Sequence, residues 1–334
     1  MHPKTQNPKP ISLWLFTCCA LVFLMVMVGA ITRLTESGLS IAEWKPLMGV
    51  LPPLNEAEWM RVFDLYKQTP QFQKTNPWME LGDFKTIFFW EWFHRFLGRM
   101  IGLAYALPLL FFWIRKQIPQ GWTFKLLFPL ILGGAQGFMG WYMVKSGLVD
   151  IPAVSHYRLA AHLLLALLIY GVMLWLGLSL EQKNKTKPEK NLFLHAVLTL
   201  IFLITTITWG AFTAGLDGGL IYNDNFPKMG TTWIPPEANE SILSTPAGAQ
   251  FLHRWLAMAT VIMIFGFWLH ATIKRRASPA LHALAIMSVI QMGLGIATLF
   301  SGVFLPLAVA HQAGALIILT LLLIYAHGIK PRDY

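Results

Sequence analysis

Apolar residues gather along this chain in eight long runs, at roughly 11–32, 87–114, 124–144, 155–179, 192–213, 250–272, 279–300 and 306–327. Crossing a bilayer takes about 20 apolar residues of helix, so each run is long enough to span. The first run follows Lys4 and Lys9 and at first sight resembles a signal peptide. It is long enough to cross, and no small-residue cleavage site with a polar start follows it, so it is read as a retained helix. The pattern therefore predicts an all-α integral membrane protein with eight transmembrane helices.

The loops alternate in character. Arg115, Lys116 and Lys125 lie between spans two and three, and Lys183, Lys185, Lys187 and Lys190 between spans four and five. Lys274, Arg275 and Arg276 lie between spans six and seven, and Lys330 and Arg332 follow span eight. The connection between spans five and six is acidic instead (Asp217, Asp224, Glu237 and Glu240 against Lys228), and the turn between seven and eight is uncharged. Basic loops stay on the cytoplasmic side, which puts both termini there; the long first loop is mixed in charge, as that rule tolerates.

The chain also repeats. Gly29, Ala30, Thr32, Gly38, Leu39, Pro46, Met48 and Gly49 recur without a gap, 181 residues later, as Gly210, Ala211, Thr213, Gly219, Leu220, Pro227, Met229 and Gly230, and Glu36 becomes Asp217. At an offset of 159, His94-Arg95 becomes His253-Arg254 and Arg115-Lys116 becomes Lys274-Arg275. At an offset of 155, Gln136, Gly140, Ser146 and Gly147 become Gln291, Gly295, Ser301 and Gly302. Spans one and five both start inside, so the repeat is parallel, about an axis along the membrane normal. The expectation is two pseudo-symmetric four-helix bundles: 1–180, a cytoplasmic linker at 181–190, and 191–334.

Composition agrees. Of 334 residues 55% are hydrophobic and 13% charged, with a mean hydropathy of +0.53, where a soluble domain carries about 25% charged residues. The net charge of +10 would invite a nucleic-acid reading, but the basic residues sit in short clusters between apolar runs. The partner this placement implies is the lipid bilayer, not nucleic acid. Cys18 and Cys19 are adjacent inside an apolar run; they cannot form an ordinary disulfide with each other, and no zinc or c-type haem motif is present.

Ten histidines remain. His2 is a tail residue, and His195, His270, His282 and His327 lie near cytoplasmic ends, where a polar ring costs little. His94, His253 and His311 each sit one or two turns inside the outer end of an even-numbered span, where a histidine faces the bundle interior. One such residue would be an ordinary hydrogen-bonded interior histidine; a duplicated set points to ligands. The fourth is His156 or His162. The gapless offset of 155 favours His156, whereas depth favours His162: His162 precedes Glu181 by 19 residues, as His311 precedes Lys330, while His94 and His253 precede Arg115 and Lys274 by 21. His156 would lie about 9 Å further out at about 1.5 Å per residue. Two axial ligands of one haem need similar heights, so His162 is preferred and His156 is left at the outer surface or substrate edge.

Paired histidines on facing helices suit an iron porphyrin, which fills a bundle core and takes two axial imidazoles. Zinc would want a third or fourth ligand, and neither pair offers one. Arg95 and Arg254 follow ligand histidines near the outer interface, where each could pair with a haem propionate or snorkel to headgroups. The repeat breaks three residues before each histidine: Glu91 in the first half, Gln250 in the second. At i, i+3 a carboxylate shares the histidine's face, and a buried carboxylate in a membrane is a functional candidate unless surface water solvates it.

The runs Thr32-Arg33-Leu34-Thr35-Glu36-Ser37-Gly38-Leu39-Ser40, Glu43-Trp44-Lys45-Pro46, Glu91-Trp92-Phe93-His94-Arg95 and Tyr157-Arg158-Leu159-Ala160-Ala161-His162-Leu163 carry a family likeness. So do Ala214-Gly215-Leu216-Asp217, Phe226-Pro227-Lys228-Met229-Gly230, His253-Arg254 and His311-Gln312. Nearly end to end, the chain resembles the haem A synthases of the proteobacterial and mitochondrial type. The resemblance implies an oxidoreductase that converts the C8 methyl of haem O to a formyl group, giving haem A for terminal oxidases, in a bacterial inner membrane. It implies haem O as substrate between His94 and His162, haem b as resident cofactor between His253 and His311, and Glu91 close to the reacting methyl. Haem O synthase and an electron carrier are the implied partners. Some family members carry cysteine pairs in outer loops; this chain has none there. The rival from the residues alone is a dihaem b-type, quinol-linked electron-transfer cytochrome, which explains the histidines but not the Glu91/Gln250 difference. A transporter would want polar or helix-breaking residues at midplane, and 96–112 and 256–269 offer little beyond Pro108.

Overall fold

A computed structural model describes residues 8–43, 51–147, 154–181 and 188–331. Several residues singled out above lie outside them: His2, Lys4, Trp44, Lys45, Pro46, Met48, Gly49, Lys183, Lys185, Lys187 and Arg332. The described residues form ten α-helices and no named strand. Eight are long and apolar enough to cross a membrane: α1 (Lys9–Leu34), α4 (Leu81–Ile114), α5 (Thr123–Gly147), α6 (His156–Glu181), α7 (Lys190–Gly215), α8 (Pro246–Ile273), α9 (Pro279–Phe300) and α10 (Leu305–Ile329). The chain is thus a multi-pass membrane protein. Two short helices, α2 (Glu56–Lys67) and α3 (Pro70–Lys74), fill the loop between α1 and α4.

The helices begin where the chain supplies acceptors for the free N–H groups of a first turn. Asn55 caps α2, Thr69 caps α3, Thr245 caps α8 and Ser278 caps α9. Helix α4 starts at Leu81, six residues before the apolar run, because Glu80 and Asp83 form a reciprocal capping box. Its 34 residues extend about 50 Å, more than the hydrocarbon core needs. The extra turns bury Phe84 and Phe88 against Phe63 and Tyr66 of α2.

Helix α1 packs against α4 and α6, and α5 touches both α4 and α6, closing one ring of four. Helices α7, α8, α9 and α10 close a second ring in chain order, with α10 returning to α7. The rings meet where α6 lies on α7 and α10, and α1 on α10. Leu15, Val22, Met173, Leu174, Leu319 and Leu322 belong to the core there, and the Tyr170 and Thr320 hydroxyls lie 2.7 Å apart across the seam. Cys18 and Cys19 are buried free thiols, each near a backbone carbonyl (Ala104 and Tyr170). Outward positions such as Leu107, Ile131, Ile262 and Ile286 stay exposed, an apolar surface suited to lipid.

Matching loop positions share backbone conformations. Glu36 and Asp217 both adopt φ 53° in the left-handed region, each entering a 3-10 turn, Ser37–Leu39 or Gly218–Leu220. Lys116 and Arg275 have φ 53° and 54°. The next residues, Gln117 and Arg276, donate back to Phe112 and Ala271, the same helix stop after α4 and after α8.

Candidate functional site

Each of the four histidines rests against a glycine of a neighbouring helix. A Cβ on Gly29 of α1 would lie 3.2 Å from His94 Cε1, and one on Gly140 of α5 would lie 3.2 Å from His162 Cε1. In the second ring Gly210 of α7 and Gly295 of α9 stand to His253 and His311 in the same way, at 2.9 Å each. Glycine thus lets the imidazole sit close against a neighbouring helix at four matched places, most tightly at Gly210 and Gly295. Gln136 and Gln291 repeat as well: Gln136 Nε2 donates to the His162 carbonyl at 3.1 Å, and Gln291 Nε2 to that of His311 at 2.9 Å.

What surrounds His311 therefore surrounds His162 and not His156. His156 opens α6, its ring against Tyr157 and Phe212 and its Cβ over Gly215 of α7.

The His253 and His311 rings have centroids 6.3 Å apart and stand nearly perpendicular, at 85°. That separation leaves room for one metal atom bonded to both at about 2.0–2.1 Å per nitrogen. His253 Nδ1 lies 3.1 Å from the Thr206 carbonyl, and His311 Nδ1 lies 3.1 Å from Gln291 Nε2. His253, with its Nδ1–H given to the Thr206 carbonyl, keeps Nε2 free for iron. In the first ring His94 and His162 are close enough to interact electrostatically, but their buried Nδ1 atoms have no hydrogen-bond partner. Among the described residues no cluster of three or more histidine, cysteine or acidic side chains could hold a bare metal ion. Facing histidines that are each seated against a glycine suit a porphyrin iron rather than a bare ion.

Glu91 is 2% exposed. Its Oε2 accepts from the Ser40 hydroxyl at 2.7 Å and the Ile41 N–H at 2.6 Å, and its Oε1 accepts from Arg95 Nη2 at 2.5 Å. The carboxylate is therefore not solvated at the surface; it ties the loop after α1 to α4. Three bonds occupy three of its about four lone-pair sites, leaving one on Oε1. Gln250 does the corresponding work with opposite polarity: its Nε2 donates to the Gly218 and Ile221 carbonyls at 2.8 and 2.7 Å, and its Oε1 accepts from Arg254 at 3.2 Å. Arg95 also reaches the Ile41 carbonyl at 3.4 Å and lines a cavity of about 400 Å³ with Ser40, Phe88, Trp92 and Arg99. Arg254 has both Nη atoms on loop carbonyls, those of Tyr222, Asn225 and Lys228, and only Nε is without a partner. It fastens the second outer loop, where the Glu237 carboxylate also accepts from Tyr222 and holds that phenol above its ordinary range.

The family model for cytochrome oxidase assembly proteins, COX15-CtaA, matches residues 12–323. The chain belongs to that family. Its relatives include proteins named heme A synthase from Rhodospirillum centenum (45% identical, covering 98% of this chain and 90% of the relative) and Nitrosospira multiformis (46%, covering 98% and 96%). A third, from Parvibaculum lavamentivorans, is 44% identical over 96% of this chain and 94% of its own length.

Within this COX15-CtaA chain, sequence reasoning missed what holds the histidines. The four glycines and two glutamines were visible as repeats, but their contact with the imidazoles was not. It also missed the bonds of Glu91 to Ser40 and Ile41, and the link between halves in which Arg33 Nη2 reaches Asp217 at 2.9 Å and the Ala214 carbonyl at 2.7 Å.

Proposed function

We propose that this chain is a haem A synthase, with the two rings as duplicated halves of unequal task, 1–180 and 191–334 about the 181–190 linker. The first holds haem O between His94 and His162 as substrate; the second holds haem b between His253 and His311 as resident cofactor. The observation that carries this reading is the pairing of four glycine-seated histidines with a buried carboxylate beside the first pair alone. The relatives' name agrees with it.

In this reading the C8 methyl takes oxygen from water and gives up two electrons and two protons to become an alcohol; a second such step gives a hydrated aldehyde, which loses water to leave the formyl group, the four electrons passing to the external carrier. His94 and His162 fix the macrocycle across the first ring, which orients one edge relative to Glu91. The remaining lone pair on Glu91 Oε1 serves as proton acceptor, and the carboxylate's charge stabilises positive charge that develops on the substrate. Arg95, Ser40 and Ile41 hold the carboxylate still, so little reorganisation is needed during reaction. Arg95 and Arg254 serve chiefly to position Glu91 and the second outer loop, and a propionate contact remains open to Arg254 through Nε. When bound, haem b supplies one-electron redox chemistry that carries electrons from the first site to an external carrier. A prenyl-transferring haem O synthase would supply the substrate. The clusters at Arg115-Lys116 and Lys274-Arg275 support a cytoplasmic placement of both termini, in a bacterial inner membrane.

The test is to produce the chain in a membrane that makes haem O and to identify the extracted haems by chromatography and pyridine haemochrome spectra. Haem A beside haem b supports the synthase. Haem b alone, with haem O left unconverted, supports the electron-transfer cytochrome instead.

A further inference from the structure

The cavity of about 400 Å³ that Ser40 and Arg95 line lies between α4, α2 and the loop after α1. Phe88, Trp92, Arg95 and Arg99 enter it from α4, at a spacing of i, i+4, i+7, i+11 that keeps them on one face. Arg99 is the only charged residue from 96 to 114. A guanidinium within a membrane-spanning run is costly and marks a functional position. At the offset of 159 its counterpart is Met258, and 255–273 holds no lysine, arginine, aspartate or glutamate. Nor does α2 have an α-helical counterpart among the described residues between α7 and α8, which form only 3-10 turns. The paired arginines and the helix across from them belong to the first half.

Charge in the cavity is ordered by depth. Arg99 stands about 6 Å further along the span than Arg95, and the Arg95 side chain is itself only 14% exposed. At the mouth, Glu43 and Glu58 each lie 3.2 Å from Arg61, and all three side chains are at least one-third exposed. Guanidinium groups therefore sit on the membrane side and carboxylates on the loop side. Between them the walls are apolar: Val62 and Leu65 from α2 face Phe88 and Trp92 from α4. Leu51 and Leu54 line the cavity too, yet both are exposed. Leu103, one turn beyond Arg99, is also exposed, so the cavity's α4 face continues into an apolar surface suited to lipid.

We propose that this cavity holds the headgroup of one zwitterionic phospholipid of the ethanolamine class, with its phosphate on Arg95 and Arg99 and its ammonium against Glu43 and Glu58. In such a lipid the phosphate lies next to the acyl chains and the amine lies farther out, the same order in which the cavity presents its charges. A guanidinium has several N–H donors, so Arg95 can hold Glu91 and a phosphate oxygen at once, and arginine is well matched to phosphate. A primary ammonium donates hydrogen bonds to carboxylates. A quaternary choline has no hydrogen to give, and a glycerol headgroup brings no positive charge. The acyl chains leave along the α4 surface at Leu103. The proposal does not rest on which haem either histidine pair holds.

The experiment uses the full-length protein in detergent, washed free of lipid and titrated with dioleoyl phosphatidylethanolamine, phosphatidylcholine or phosphatidylglycerol. Bound lipid is counted by native mass spectrometry. The expected result is one ethanolamine lipid held about tenfold or more tighter than either of the others. Arg99→Met, which copies the second half's residue, should weaken that lipid about tenfold. Glu43→Gln combined with Glu58→Gln should bring it to the level of the choline lipid. An unchanged midpoint of thermal unfolding in detergent reports that each variant is folded. Excess inorganic phosphate should leave the lipid in place, because free phosphate engages neither the carboxylates nor the apolar wall. Equal retention of the three lipids, undiminished binding in Arg99→Met, or displacement of the lipid by inorganic phosphate overturns the proposal.

Discussion

Glu91 and Gln250 occupy the same place in the two halves, three residues before a histidine and bonded to an arginine four residues on. The loops facing them are turned differently. The first presents donors, the Ser40 hydroxyl and Ile41 N–H, while the second presents acceptors, the Gly218 and Ile221 carbonyls. A charge difference between duplicated sites is thus built into two backbones as well as two side chains. That is why a carboxylate can be kept dry in one half and would be rejected by the other.

The reverse swap breaks this comparison most severely. Gln250→Glu sets a carboxylate against two carbonyls in a buried site, so the second half should lose about 3–5 kcal/mol. The check is loss of the haem b spectrum and a lowered midpoint in thermal unfolding; an unaltered protein would mean that the loop polarity is unimportant. Glu91→Gln is milder for the fold, because the amide oxygen can still accept from the Ser40 hydroxyl and the Ile41 N–H, and only the bond from Arg95 is lost. It should lower haem A formation by about a hundredfold or more while the haem b spectrum stays intact, and unchanged haem A production ends the role given to Glu91.

The glycine cradles sharpen the comparison further. Gly210→Ala and Gly295→Ala, with 2.9 Å approaches, should disturb their histidines more than Gly29→Ala and Gly140→Ala, with 3.2 Å. The overpacking cost is about 1–3 kcal/mol in the tighter pair, read as haem loss under mild denaturant; equal sensitivity of all four would contradict a tighter second site. Arg33→Ala should matter least. Its ion pair with Asp217 has a partner 61% exposed, and such pairs are worth about 0–1 kcal/mol, so unfolding should shift little and both haem sites should persist.

The eight spans were legible because a bilayer demands a long apolar run whatever the tertiary packing. Their ends were less so: α4 starts at Leu81 because of a capping box, which hydropathy does not register. The choice of His162 over His156 rested on helical depth; the contacts of His162 with Gly140 and Gln136 could not be read from it. What stayed hidden were contacts made by residues far apart in sequence. Ser40 and Ile41 precede Glu91 by about 50 positions, and nothing in their identity announces a bond to it.

The seam of α1, α6, α7 and α10 has a consequence for how the molecule moves. Among the described residues the extensive helix contacts between the halves run through those four helices, and α5 packs only on α4 and α6 of the long helices. Helix α5 carries neither histidine of the first pair, so it can move outward into lipid without taking His94 of α4 or His162 of α6 with it. Movement at that edge and a constant distance between the histidine pairs are mechanically independent.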